Sequence, residues 1–443
     1  MRLFLVIATC CCWIYANAAD QVSHSSLPDP MSLQQALGLI DNTHPDLAIE
    51  KLGIERAEAD LKFEQSQTAL SITADARLRW VEQDSTREQI DPGHEDHRLA
   101  LSLTKRLYDS GYSDHLETAA SLDVDARTLD YMSAKDSHVI AVMQHFFDVI
   151  LADLESARDT EHMSVMFVRL DRARDRHELG QLSDLELLEW QSRYQDSRQK
   201  AYESDGRARR SRAALALILN RPGQQPSQLA MPEFQLEGLQ LPEVDELIQR
   251  VLSGNRNLLA QEKIIEASRS RVAAARVRYG PRVHGSIVRA EESRTTTSAD
   301  KWRVGVELEV PLYDGGRSET ALLKAQTELT QALFEQRKTE FQLRGLVRDL
   351  WEEVRVLRAE YDASKAFSEY RELSMDRSRS LYEMEVKTDL GFAMVDISKS
   401  RLRTATQRFR MVLALAKLNA MAGLPVTDWK ALAINPKQGS EAM

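Results

Sequence analysis

Proline is missing from two long parts of this chain. There are twelve prolines in 443 residues, yet none between Pro92 and Pro222 and none between Pro311 and Pro425. Proline removes a helical N–H and clashes with the preceding turn, so such gaps predict long uninterrupted helices. Glycine is also absent from Tyr112 to Leu179. As one helix that stretch would extend about 100 Å at 1.5 Å per residue. Cysteine occurs only as Cys10, Cys11 and Cys12, so beyond that cluster neither a disulfide framework nor thiol chemistry is available. Basic excess is lacking too: the net charge is −10, which argues against nucleic acid as a partner. After the first 19 residues no run approaches 18 apolar positions, so no transmembrane helix is predicted.

The N-terminus reads as a secretory signal over residues 1–18. Arg2 gives the positive start, Leu3 to Ile14 the apolar stretch, and Ala16-Asn17-Ala18 a small-x-small cleavage site. Lipidation at Cys10 is the second reading of the same segment. With the cluster removed, the mature chain would have no cysteine.

What the sequence does have is repetition. "KRLYDSGYSD" (105 to 114) and "VPLYDGGRSE" (310 to 319) match at an offset of 205, as do "HELGQLSDLELL" (177 to 188) and "YEMEVKTDLGFA" (382 to 393). Upstream, "NTHPDLAIEKLGIERAEADLKFEQSQTAL" (42 to 70) matches "SGNRNLLAQEKIIEASRSRVAAARVRYGP" (253 to 281) at an offset of 211. Six extra residues therefore lie in the first copy between Leu70 and Leu107, and a loop around 84 to 97 is the expected place. Two copies result, 31–226 and 241–426, joined by a Pro/Gln-rich link and followed by a tail, 427–443.

Each copy predicts a short helix, two strands, a very long helix, a tip and a returning helix. Val139, Met143, Phe146, Ile150, Leu154 and Ala157 alternate by three and four, the spacing of a coiled-coil seam. Gly180 should close the first long helix in a left-handed turn, with Ser183 or Asp184 capping the return. Thr388-Asp389 would cap the second return, although Glu385 stands where the first copy has glycine.

The strands alternate strictly. Leu70, Ile72, Ala74, Ala76, Leu78 and Trp80 oppose Ser71, Thr73, Asp75, Arg77 and Arg79; Trp302 to Leu312 alternate likewise, and only 283–290 alternates poorly. Ten or eleven such residues suit a membrane β-strand, apolar towards lipid and polar towards a wet lumen. A half-buried sheet in a soluble protein would alternate as well. Trp80 and Trp302 lie at the loop end, and Tyr108, Tyr279 and Tyr313 at the other, the places for aromatic girdles. Four strands cannot close around water and exposed edges are forbidden in lipid, so a membrane reading demands an oligomer.

The paired corners "LYDSG" and "LYDGG", the opening "SLQQALGLIDNTHPDL" (32 to 47) and the tip "ELGQLSDLELL" (178 to 188) together resemble the TolC-type outer-membrane efflux proteins, over residues 31 to 426. That resemblance implies a fold mainly α with membrane β: a homotrimer whose twelve-stranded barrel in the outer membrane continues into an α-helical periplasmic tunnel. It implies an outer-membrane channel of a tripartite efflux or type I secretion system. Its partners would be a periplasmic adaptor protein, an inner-membrane pump or ATP-driven exporter, and outer-membrane lipid. The helix tips, Gly180, Leu182 and Ser183 in the first copy and Val386 and Thr388 in the second, would meet the adaptor. Asp109 and Asp314 would cap the helices at the strand-to-helix corners, where Gly111, Gly315 and Gly316 permit the swivel.

The gate departs from the family pattern. Members place acids six and nine residues after the second turn, and those positions here are Gly391 and Met394. The first copy keeps the acids as Glu186 and Glu189. Asp389 and Asp396 share a stripe roughly opposite Gly391 and Met394. With Met394 facing the bore, their expected roles are capping and solvation, which leaves a constriction with a weak acidic ring.

The alternatives are a non-channel coiled-coil protein of the envelope, or an enzyme. No GxSxG, P-loop or HExxH occurs, and no cofactor is expected. "HEDH" (94 to 97) reads as a solvated turn, not a metal site. His138 and His145 read as seam or surface residues.

Overall fold

The computed structural model describes residues 27–80, 95–236, 241–293, 301–384, 390–428 and Leu432. The signal segment, residues 84 to 94 of the expected loop, and Val386, Thr388 and Asp389 lie outside the described residues. The elements in chain order are α1 (Leu33–Gly38), α2 (Pro45–Ser66), β1 (Ser71–Trp80), β2 (Glu95–Tyr108), α3 (Tyr112–Glu178) and α4 (Asp184–Ile218). The second copy follows with α5 (Val244–Gly254), α6 (Arg256–Val277), β3 (Arg282–Glu292), β4 (Trp302–Glu309), α7 (Arg317–Glu383) and α8 (Leu390–Met421).

Two pairs of helices repeat with equal length. α2 and α6 each have 22 residues, and α3 and α7 each have 67. The proline- and glycine-free stretch is one helix, as its composition dictates. Its buried side is broader than the expected seam: Val142, Met143, Phe146, Phe147, Val149 and Ile150 are all buried, while Ala157 is exposed. A straight helix drifts from a 3.5-residue repeat, so a seam inferred from sequence rotates away from its neighbour over several turns. α3 is also, among the described helices, the one long and apolar enough to cross a membrane, contrary to expectation. Part of that stretch is buried inside the chain. The apolar middle of α3 packs into the core, where Phe147 stacks on Phe409 of α8 at 4.4 Å and 7°.

The link between the copies is part of that core. Phe234 meets Phe147 and Phe409 edge-on, Leu236 is buried, and the Trp351 indole N–H donates to the Pro242 carbonyl at 3.0 Å. Met31 pairs in parallel with Leu229, tying the start of copy one to the link.

The four strands form one antiparallel sheet in the order β1-β2-β3-β4. Register carries the alternation across all four. Ile72, Leu103, Ile287 and Val304 make one apolar row, and Thr73, Ser102 and Arg303, interrupted by Val288, make the polar row beside it. The poorly alternating β3 is thereby placed, with Val283, Gly285 and Ile287 on the apolar face. A register shift between Arg106 and Tyr108 brings Tyr108 opposite Val283, so a bulge turns that tyrosine onto the apolar face. Every residue of β1 and β4 is exposed in the single chain. Glu95 to His97 of "HEDH" are strand, not turn, and His97 lies 3.7 Å from Glu95.

Candidate functional site: corners, tips and apolar sheet face

The corners where strand becomes helix share one geometry. Gly111 and Gly316 are the residues at the N-caps, both at φ 83°. One residue earlier, Ser110 has φ 60° and Gly315 has φ 67°. The aspartates do not occupy the cap position itself; they reach over it. Asp109 accepts from the Ser113 amide at 3.0 Å and from its hydroxyl, with Arg106 at 3.4 Å. Asp314 accepts from the Ser318 amide at 2.7 Å and the Gly316 amide at 3.0 Å. Each carboxylate thus satisfies amides at the positive end of a 67-residue helix. Burial pushes the Asp109 carboxyl upward, but the two Ser113 bonds and Arg106 outweigh it and hold the group below its usual range. Ser318 and Gly316 do the same for Asp314.

The first tip is closed by backbone alone. The Gly180 amide donates to the His177 carbonyl and the Gln181 amide to the Arg176 carbonyl, both at 2.8 Å, with Gly180 at φ 71°. That pair of bonds is the Schellman closure. Ser183 then starts α4 in a capping box with Glu186, and His177 contacts Asp184 at 2.7 Å. Gly180 and Ser183 are exposed and Leu182 is half-buried. Leu179, Leu185 and Leu188 are more exposed than Leu182 and cover the outside of the tip. Their exposure depends on the rotation of each helix end, which spacing in the sequence does not fix. Beside them, Arg169, Arg172 and Arg176 line a cleft with Trp190, Tyr382 and Met394. Arg169 lies 4.2 Å from the Phe392 ring centroid.

The two constriction candidates in the described part separate. Gly391 faces α3: a Cβ there would meet Val165 Cγ2 at 2.8 Å. Met394 is 44% exposed. Asp396 pairs with Arg371 of α7 at 2.5 Å, and Glu189 pairs with Arg193 on its own helix. Glu186 is held by the Ser183 amide and hydroxyl.

On the sheet, Trp80 and Trp302 are exposed at the loop end and Tyr108 and Tyr313 at the corner end. Arg289, on the apolar face, lies 5.2 Å from the Trp302 ring centroid and pairs with Glu291 at 3.1 Å. A cation stacked on tryptophan at the rim keeps its charge out of the apolar band.

Residues 247–424, most of the second copy, match the family model for outer membrane efflux proteins. No curated protein matches the chain in sequence. Among solved structures, the Campylobacter jejuni CmeC outer membrane channel superposes with TM-score 0.73 at 14% identity, over 96% of this chain and 93% of that one. CusC, described as forming a transmembrane channel, gives 0.72 at 15%, over 92% and 96%. The open state of the Neisseria gonorrhoeae MtrE outer membrane channel gives 0.68 at 15%, over 89% of each. The fold is that of outer-membrane efflux channels along nearly the whole chain, as the corners and tip led one to expect.

Proposed function

We propose that this chain, whose second copy carries the outer membrane efflux protein domain, is the outer-membrane channel of a tripartite efflux or type I secretion system. The observation that carries the reading is the four-stranded sheet, apolar on one face and, among the described residues, unpartnered at both edges. Unpaired backbone cannot stay in hydrocarbon, so β1 of one protomer joins β4 of the next. Three protomers then close twelve strands, and the long helices continue the wall as a tunnel into the periplasm. Substrate enters at the tips, handed over by a periplasmic adaptor and an inner-membrane pump or ATP-driven exporter. It leaves at the cell surface. The two copies, 31–226 and 241–426, act as half-walls of one protomer, and the protein performs no catalysis.

Deleting residues 70 to 107 removes two of the four strands and is expected to abolish outer-membrane insertion and the SDS-resistant trimer. A stable outer-membrane channel from that variant would refute the barrel. Recovery of the intact chain in the periplasmic fraction without detergent would instead favour a coiled-coil envelope protein.

A further inference from the structure

Two histidines, 94 residues apart in sequence, meet where the start of α2 crosses α3. His44 ends the loop before α2, and its Nδ1 accepts from the Asp46 amide at 3.3 Å, long for such a bond. The loop is pinned on both sides: Tyr131 donates to Asn42 at 2.9 Å and Asn220 to Thr43 at 3.0 Å. His138 projects from α3 so that the two imidazole centroids lie 4.4 Å apart, tilted by 49°. Both residues are buried, at 8% and 6% exposure, and Asp46 stands at the surface beside them. Among the described residues, no hydrogen bond reaches the ring of His138. One ligand atom from each of the three residues lies within 4.8 Å of the others.

We propose that His44, His138 and Asp46 form a binding site for a divalent transition-metal cation of the zinc class. The donor set fits that ion: two imidazole nitrogens and one carboxylate oxygen, leaving a fourth position for water. Calcium or magnesium would need six or more oxygens and finds one carboxylate here. A tetrahedron with ligands about 2.1 Å from zinc puts donors about 3.4 Å apart, so the three side chains close by roughly an ångström on binding. Asp46 is the entry: its side chain is 77% exposed, whereas that of His44 is 10% exposed. A bound ion would fasten the pinned loop, and α2 with it, to the middle of α3. The site is independent of the transport reading, since all three ligands belong to one protomer.

The test is calorimetric titration of the full chain in detergent with Zn²⁺ alone, after removal of any affinity tag and chelator. One ion per protomer is expected. His138→Gln should weaken binding at least about 100-fold and Asp46→Asn at least about 10-fold, since both are direct ligands and even outer-shell partners act on the 10–100-fold scale. Asp46→Asn leaves both buried rings in place and so guards against a folding defect in the histidine variant. Substituted Co²⁺ should show the intense visible bands of a four-coordinate ion and lose them in His138→Gln. No saturable Zn²⁺ binding by the wild-type chain, or equal binding by His138→Gln, would overturn the site.

Discussion

Ser110 and Gly315 occupy the same place in the two copies, and both are left-handed, at φ 60° and φ 67°. Serine tolerates that conformation in the first corner because its hydroxyl donates to the Pro281 carbonyl at 3.0 Å. Ser110→Ala keeps the strained backbone and loses the bond, so it should destabilise by about 1 kcal/mol. Gly316→Ala places a Cβ on a residue at φ 83° and should cost about 1–2 kcal/mol, although open space surrounds it. Thermal unfolding of the purified variants reads both. Equal stability of Gly316→Ala and wild type would show that the corner does not need its glycine.

Acid should loosen the corners. The Asp109 carboxyl is lowered in the folded chain, so its contribution is fully present above the unfolded value near 4 and disappears as pH falls through the lower folded one. Asp109→Asn should lower the melting temperature at pH 7, and the gap to wild type should narrow progressively as pH falls below about 4. A gap that persists unchanged at pH 3 would mean that charge is not what Asp109 contributes.

The first tip should be sensitive to proline. At Gly180 proline can neither reach φ 71° nor donate to His177, so Gly180→Pro breaks the helix closure. The sheet lies at the opposite end of a helix about 100 Å long, so the proposed trimer should still assemble. Export is expected to stop. Wild-type export by the assembled variant would exclude this tip as the docking site.

The acid of α8 nearest the second tip among the described residues is not free. Asp396 is paired with Arg371, and Met394 stands where the resemblance read from the sequence implies an acid. In planar bilayers a trivalent cation should block weakly, and Asp396→Asn should change that little. Strong block abolished by Asp389→Asn would put a carboxylate ring in the bore.

Local chemistry made much of the fold legible. The absence of proline and glycine set the length of α3, and the repeated corner set where α7 begins, at Arg317. Alternation identified the outer strands, but β3 became readable only through its pairing with β2, which no single strand encodes. The same limit hid the site residues. Gly391 stands where the resemblance implies an acid, and its neighbour Val165 belongs to another helix. His138 was visible with His145 seven residues on, yet its companion is His44, supplied by tertiary packing. Leu179 and Leu185 at the first tip are exposed, which their spacing in the sequence does not fix.

The unpartnered edges of β1 and β4 also govern timing. A lone protomer has no low-energy resting place in the bilayer, because its strand edges would lie bare in hydrocarbon. In the proposed assembly, joining and inserting therefore form one event, and its rate should rise steeply with the concentration of protomers awaiting delivery. Before that event the sheet is also a template for wrong partners. A chaperone for this chain would have its greatest effect by occupying those edges during transit, more than by shielding the helices.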